Sequence, residues 1–319
     1  MSNGLSPDQK RPWFLPLNNP PVVTAAEAAH MRDDDPVVGV VVGDHVRAYP
    51  WWILANYHVV NDTFVDSDEP GGYLWSSAMT GTGEPGYPWF PTTPVVVTLC
   101  EACSATSAFV PIPEGGATGP LAFTLAERAT PSAYRALGTF TIADVETQSR
   151  WHPFTGYAHS GPLDGAHLRR IPAFVDHWGA WSRDHPTTTV ALAGDEMRRR
   201  SHVVDLPGVL DPDAAHTSLR EVRLRMPELV DDRLPQAELV LGAGDAVTGT
   251  SVAVPLTVLR ERSGLVQADL AGRPLSFTLT GDYRGLVHEG GVDGPLAPDG
   301  YLSKWGEWSL AHPKADILD

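Results

Sequence analysis

The chain has 319 residues, a formal net charge of -16 and 42% hydrophobic residues. That length can bury an ample core, and the apolar content is that of a globular chain rather than a disordered one. The acidic balance argues against nucleic acid as a partner, because a polyphosphate needs basic neutralisation, and the longest apolar run, around VVGVVVG, falls far short of the ~20 residues of a bilayer helix.

From the N-terminus, residues 1–36 read as a Pro-, Asn- and Asp-rich arm with a short helix at Ala25–Ala29. The start lacks a basic segment followed by an apolar one, so no secretory signal is visible and a cytoplasmic location is expected. Val37–Val42 reads as a buried strand, GD as its turn and VRAYP as its hairpin partner. WWILANYHVVND suggests a helical turn leading into a loop at Asn61 and Asp62. The stretch 65–93 is rich in Gly, Pro and Ser yet carries Tyr73, Trp75, Tyr87, Trp89 and Phe90. It reads as an inserted loop that either lids a site, docks a second protein subunit or tucks its aromatics inward.

PVVVTL is a continuous apolar strand with CEAC at its C-terminal end, LAFTLAE and TFTIADVE read as further strands, and AFVDHWGAWSRDHP reads as an amphipathic helix stopped by Pro186. A charged connection covers 194–237. Beyond it SVAVPLTVL, RPLSFTLTGDY and WGEWSLAHP repeat, in order, the earlier VRAYPWWIL, PVVVTLCEAC and WGAWSRDHP. The expected architecture is therefore α+β and β-rich, with two imperfect copies of one unit packed together. The first copy spans 1–193 and a shortened, degenerate second copy spans 238–319.

Aligning the copies sets Cys100 against Thr280, Cys103 against Tyr283 and His58 against the Gly264 region, so the thiols, the imidazole and Asn61 occur in the first copy only. His58, Asn61 and Asp62 would share one turn and loop, where Asp62 helped by His58 suits general-base work; the bland alternative is an Asx turn with a core histidine. Cys100 and Cys103 have three readings: soft residues lining a pocket, a redox dithiol, or, with His58, a zinc or copper(I) site. A structural disulfide is not expected in a reducing compartment. Glu146 could bind an ammonium group supported by cation-π contact with Trp151, with His152 beside them; equally, the segment is a solvated turn with an anchoring tryptophan. His177, His185 and His312 belong to the repeated tryptophan element and read as structural.

The series RAYPxxIL (Arg47–Leu54), HxxND (His58–Asp62), VTxCxxC (Val97–Cys103), DxETxSxW (Asp144–Trp151), SGPLDG (Ser160–Gly165) and WxxWxxxHP (Trp178–Pro186) resembles an uncharacterised bacterial domain family known by a VTYCPLC-type stretch. The chain departs from it at Glu101-Ala102, at Pro153 and in the 65–93 insertion. The resemblance implies a soluble two-copy architecture and little about activity. The chain is also similar to the larger subunit of two-subunit enzymes that close an aziridine ring by displacing sulfate. Together these readings give the functional expectation: a biosynthetic enzyme without cofactor, activating an amine nucleophile for intramolecular displacement. Its catalytic residues would be Asp62 and His58, with Asn61, Cys100, Cys103, Glu146, Trp151 and His152 binding substrate. The alternatives are a copper or zinc centre at His58, Cys100 and Cys103, and a non-catalytic binding scaffold.

Overall fold

The computed structural model describes residues 15–65, 92–100, 103–114, 119–127, 139–193, 230–244 and 249–319. The aromatic segment 73–90 and most of the 194–237 connection lie outside them. In chain order the first half runs β1 (Leu17–Asn18), β2 (Val22–Thr24), a single 3-10 turn (Ala25–Glu27), β3 (Pro36–Val42), β4 (His45–Pro50), α1 (Trp51–Tyr57) and β5 (Val59–Val65). It continues through β6 (Thr92–Cys100), β7 (Ala105–Pro113), β8 (Phe123–Glu127), β9 (Thr141–Asp144), β10 (Arg150–Trp151) and β11 (Ala158–Ser160). It closes with β12 (Leu168–Ile171), β13 (Ala173–His177), α2 (Trp178–Asp184) and β14 (Thr189–Ala191). The second half runs β15 (Leu239–Gly244), β16 (Ser251–Pro255), α3 (Leu256–Glu261), β17 (Leu265–Leu270), β18 (Arg273–Thr280) and β19 (Arg284–Glu289), then β20 (Tyr301–Lys304), α4 (Trp305–Ala311) and β21 (Asp316–Ile317).

The fold is α+β and strand-rich, built from small sheets with no barrel among them. Two sheets share one wiring. In the order β13-β3-β4-β14-β2 the first pair of contacts is antiparallel and β14 lies parallel to β4; in β20-β15-β16-β21 the senses are the same, with β21 parallel to β16. Pro50 and Pro255 end the second strand of each hairpin and precede α1 and α3 with φ of -50° and -56°, the angle the pyrrolidine ring fixes. A Cβ on Gly39 would stand 2.2 Å from the Trp181 ring, and one on Gly242 2.2 Å from the Trp308 ring. Only glycine lets each indole lie flat on its sheet.

The antiparallel meanders β5-β6-β7 and β17-β18-β19 correspond as well. After α1, His58 adopts φ 62° and its carbonyl accepts from Leu99 N; after α3, Gly264 adopts φ 80° and its carbonyl accepts from Leu279 N. The halves meet along a seam. Arg284 of β19 reaches across to Asp176 (2.6 Å) and Asp184 (2.7 Å), and Lys304 N donates to the Cys103 carbonyl at 2.9 Å.

AFVDHWGAWSRDHP is not one helix. Its first five residues pair with β3 as a strand, because Val175 is buried against the sheet and Asp176 is held by Arg284; helix begins at Trp178.

Candidate functional site

Asn61 and Asp62 lie inside β5, not in a loop, and the β-branched residues around them favour the strand. Successive strand residues face opposite sides. Asn61 turns one way, where its amide takes the Phe123 N–H at 2.9 Å and donates to the Phe123 carbonyl at 2.8 Å, tying β5 to β8. Asp62 turns the other way. It accepts from Arg47 Nη1 at 2.5 Å and from the Tyr49 hydroxyl at 2.6 Å, and all three side chains are buried. The buried Tyr49 phenol is pushed well above its ordinary value by desolvation and then by the Asp62 charge.

His58 is the left-handed cap of α1, and its ring lies 5.7 Å from that of Phe140, in the layer that also holds Phe123 and the cysteines. The structure therefore does not bring His58 and Asp62 together. The carboxylate is committed to a guanidinium and the imidazole lies beyond the opposite face of the strand.

Cys100 and Cys103 form a disulfide, contrary to the expected free thiols. They are 4% and 0% exposed, and Ser104 turns the chain back through φ 50°. In this form neither sulfur offers a thiolate to a metal. Among the described residues no group of three or more His, Cys, Asp or Glu gathers as a ligand set.

Glu146 and Trp151 are likewise apart. Glu146 accepts the Ala122 N–H at an exposed turn, whereas Trp151 is fully buried, donates to Asp144 at 2.9 Å and meets Phe123 edge-on. No face of that indole is open to an ammonium ion. His152 stands elsewhere: its Nδ1 accepts from Phe154 N and Thr155 N, which puts the proton of the neutral ring on Nε2, and its ring lies 6.2 Å from Tyr301.

Tyr301 leads to the charged groups that the sequence reading passed over. It is buried, its ring contacts Phe154 at 5.5 Å and Trp308 at 4.6 Å, and its hydroxyl lies 3.3 Å from His312 Nε2. Burial raises the phenol, Asp299 and Glu307 raise it further, and Arg170 pulls it down. Lys304, which ends β20 and caps α4, and Glu307 of α4 are each 2% exposed. Both Glu307 carboxyl oxygens lack a hydrogen-bond partner. Desolvation pushes this carboxyl up to about 8, against a downward pull from Lys304. Burial also lowers His312 to about 4, leaving it neutral. Asp299, 2% exposed, is held by Arg273 at 3.0 Å.

A signal for these residues stands in the repeated element: WGAW in the first half becomes WGEW in the second, and the residue before it changes from His177 to Lys304. A buried strand-helix junction that keeps its tryptophans while gaining two charges departs from what packing requires.

The chain matches the family described as "Protein of unknown function (DUF3179)" over residues 15–70 and 90–290, and it belongs to that family. The break in the match falls within the stretch read as an insertion. No curated protein and no solved structure matches the chain. Among the described residues no helix is long and apolar enough to cross a membrane.

Proposed function

We propose that this chain is an enzyme of small-molecule biosynthesis that works by proton transfer at the seam between two copies of one unit, with Glu307 as the proton-carrying group. The duplication is supported by the shared wiring of the two large sheets and by the matched backbone at His58 and Gly264. The observation that carries the chemistry is Glu307: a carboxyl with both oxygens unpartnered, buried beside Lys304 and pushed up to about 8. A base of that strength is well matched to an ammonium proton, and such proton transfer contributes about 10² to 10⁴ in rate. Perturbed buried groups of this kind mark functional sites more often than chance.

In the reaction class expected from the aziridine resemblance, the Glu307 carboxylate takes a proton from the substrate amine. The nitrogen lone pair forms the new C–N bond as the neighbouring C–O bond breaks, and sulfate leaves with that bond's electron pair. Tyr301 and Lys304 are positioned to hold charge near the proton; no cofactor enters the step. The chain would work in the cytoplasm, assisted by a second subunit docking on segment 73–90, with the disulfide shielded from reducing thiols by its burial.

The test is sulfate release from amines bearing a vicinal sulfate ester, with and without the gene neighbour that supplies the partner chain. The expected result is turnover that falls at least ~10²-fold in Glu307→Gln. Undiminished turnover in a folded Glu307→Gln protein rejects the assignment. Loss of activity on chelation, with a metal recovered from the reduced protein, would favour the zinc or copper reading instead.

A further inference from the structure

Between β12 and β13 on one side and β19 and β20 on the other lies a cavity of about 20 Å³, room for one water or one halide ion. Its walls are mostly apolar, including Ile171, Val175, Leu286 and Leu302, and Arg170 is the one charged residue among those lining it.

The guanidinium is held by neutral oxygens alone. Nε donates to the Pro298 carbonyl at 3.2 Å, Nη1 to the Ser107 hydroxyl at 3.1 Å and Nη2 to the Phe154 carbonyl. Three of five N–H groups are so used, leaving two. The nearest influential carboxylate, Asp299, is engaged by Arg273, and among the described residues none is in ion-pair contact with Arg170. Desolvation therefore prevails and lowers the guanidinium to about 10. The Phe109 ring covers one face of the guanidinium at 5.1 Å. The other polar side chains lining the cavity do not supply a negative charge: Thr106 donates to the Thr98 carbonyl, burial raises the Tyr283 phenol, and Tyr301 lies against His312.

A half-buried cation without an ion-pair partner is costly, and an ion entering the cavity from the seam would neutralise it. We propose that Arg170 and this cavity form a binding site for a chloride-sized inorganic anion that bridges the two halves. The site does not depend on the proton-transfer reading of Glu307.

The probe is sodium chloride or bromide titrated against sodium gluconate at constant ionic strength, with the melting temperature as readout. Gluconate is too large for the cavity, so it serves as the reference. The expected result is a saturable rise of about 3 °C at ten times the half-saturating halide concentration, absent in gluconate. Arg170→Gln should abolish it. Because that variant also loses three hydrogen bonds and could fail to fold, Ala173→Leu, which fills the cavity and keeps the cation, provides a second test and should also abolish the rise. In bromide-grown crystals an anomalous peak beside the guanidinium is expected. Equal responses to halide and gluconate, or an unaltered halide response in folded Ala173→Leu, overturn the proposal.

Discussion

At the scale of single residues, the Asp62 environment shows how a sequence motif can carry chemistry-bearing types without chemistry. HxxND supplies an imidazole, an amide and a carboxylate within five positions, but the strand's two-residue period parts Asn61 from Asp62, and the left-handed cap directs His58 toward Phe140. Asp62 instead neutralises Arg47, which is 8% exposed. Asp62→Asn is expected to destabilise the fold by about 3–5 kcal/mol in chemical denaturation, since it leaves a buried cation unpaired. Any loss of activity should track that loss of folded protein.

Glu307 gives the opposite case, and its linkage has a definite sign. Its folded-state value, about 8, lies above the ordinary 4.5 of the unfolded chain. The associated stability is complete below pH 4.5 and is lost as pH rises toward 8, because the unfolded chain ionises there while the folded carboxyl stays protonated. Relative to Glu307→Gln, the natural protein should lose stability between those limits and stay level above them, as thermal melts across pH 4–9 would show. His312 works the other way: lowered to about 4, it costs stability as pH falls below 6.5.

At the scale of elements, the long apolar strands were legible, whereas β5 read as a loop and β13 as helix. β3, β4, α1 and β6 lie where apolar runs and the Pro50 and GD breaks put them. The β13–α2 junction was hidden because AFVDHWGAW has the apolar spacing of a helix, and only its pairing with β3 makes the first five residues a strand. The indole-on-glycine contact was likewise unreadable, since glycine in a strand signals close approach without naming the partner. Gly39→Ala and Gly242→Ala should each cost about 1–3 kcal/mol by crowding Trp181 and Trp308, measurable as shifts in denaturation midpoint. The Cys100–Cys103 bridge closes a very short loop, so replacing both cysteines by serine should cost only about 2 kcal/mol.

At the scale of the whole molecule, two sheets share one strand wiring, β13-β3-β4-β14 and β20-β15-β16-β21. Of the residues that only the first half carries, His58 is a helix cap and the cysteines form a buried bridge. Other differences run the opposite way, with Ala180 against Glu307 and His177 against Lys304. Those charges lie where the halves meet, and a seam's contents cannot be read from either half alone. Arg170 is more than a hundred residues from Tyr301 and Glu307, and only the packing of the first half on the second brings its charge to bear on the Tyr301 phenol.

The most direct measurement is the titration of the Glu307 carboxyl itself, followed by its ¹³C resonance in glutamate-labelled protein and assigned by its absence in Glu307→Gln. That carboxyl is expected to stay protonated through pH 6 and to ionise near pH 8. A Glu307 already ionised at pH 6, titrating in the ordinary carboxylate range, would contradict it.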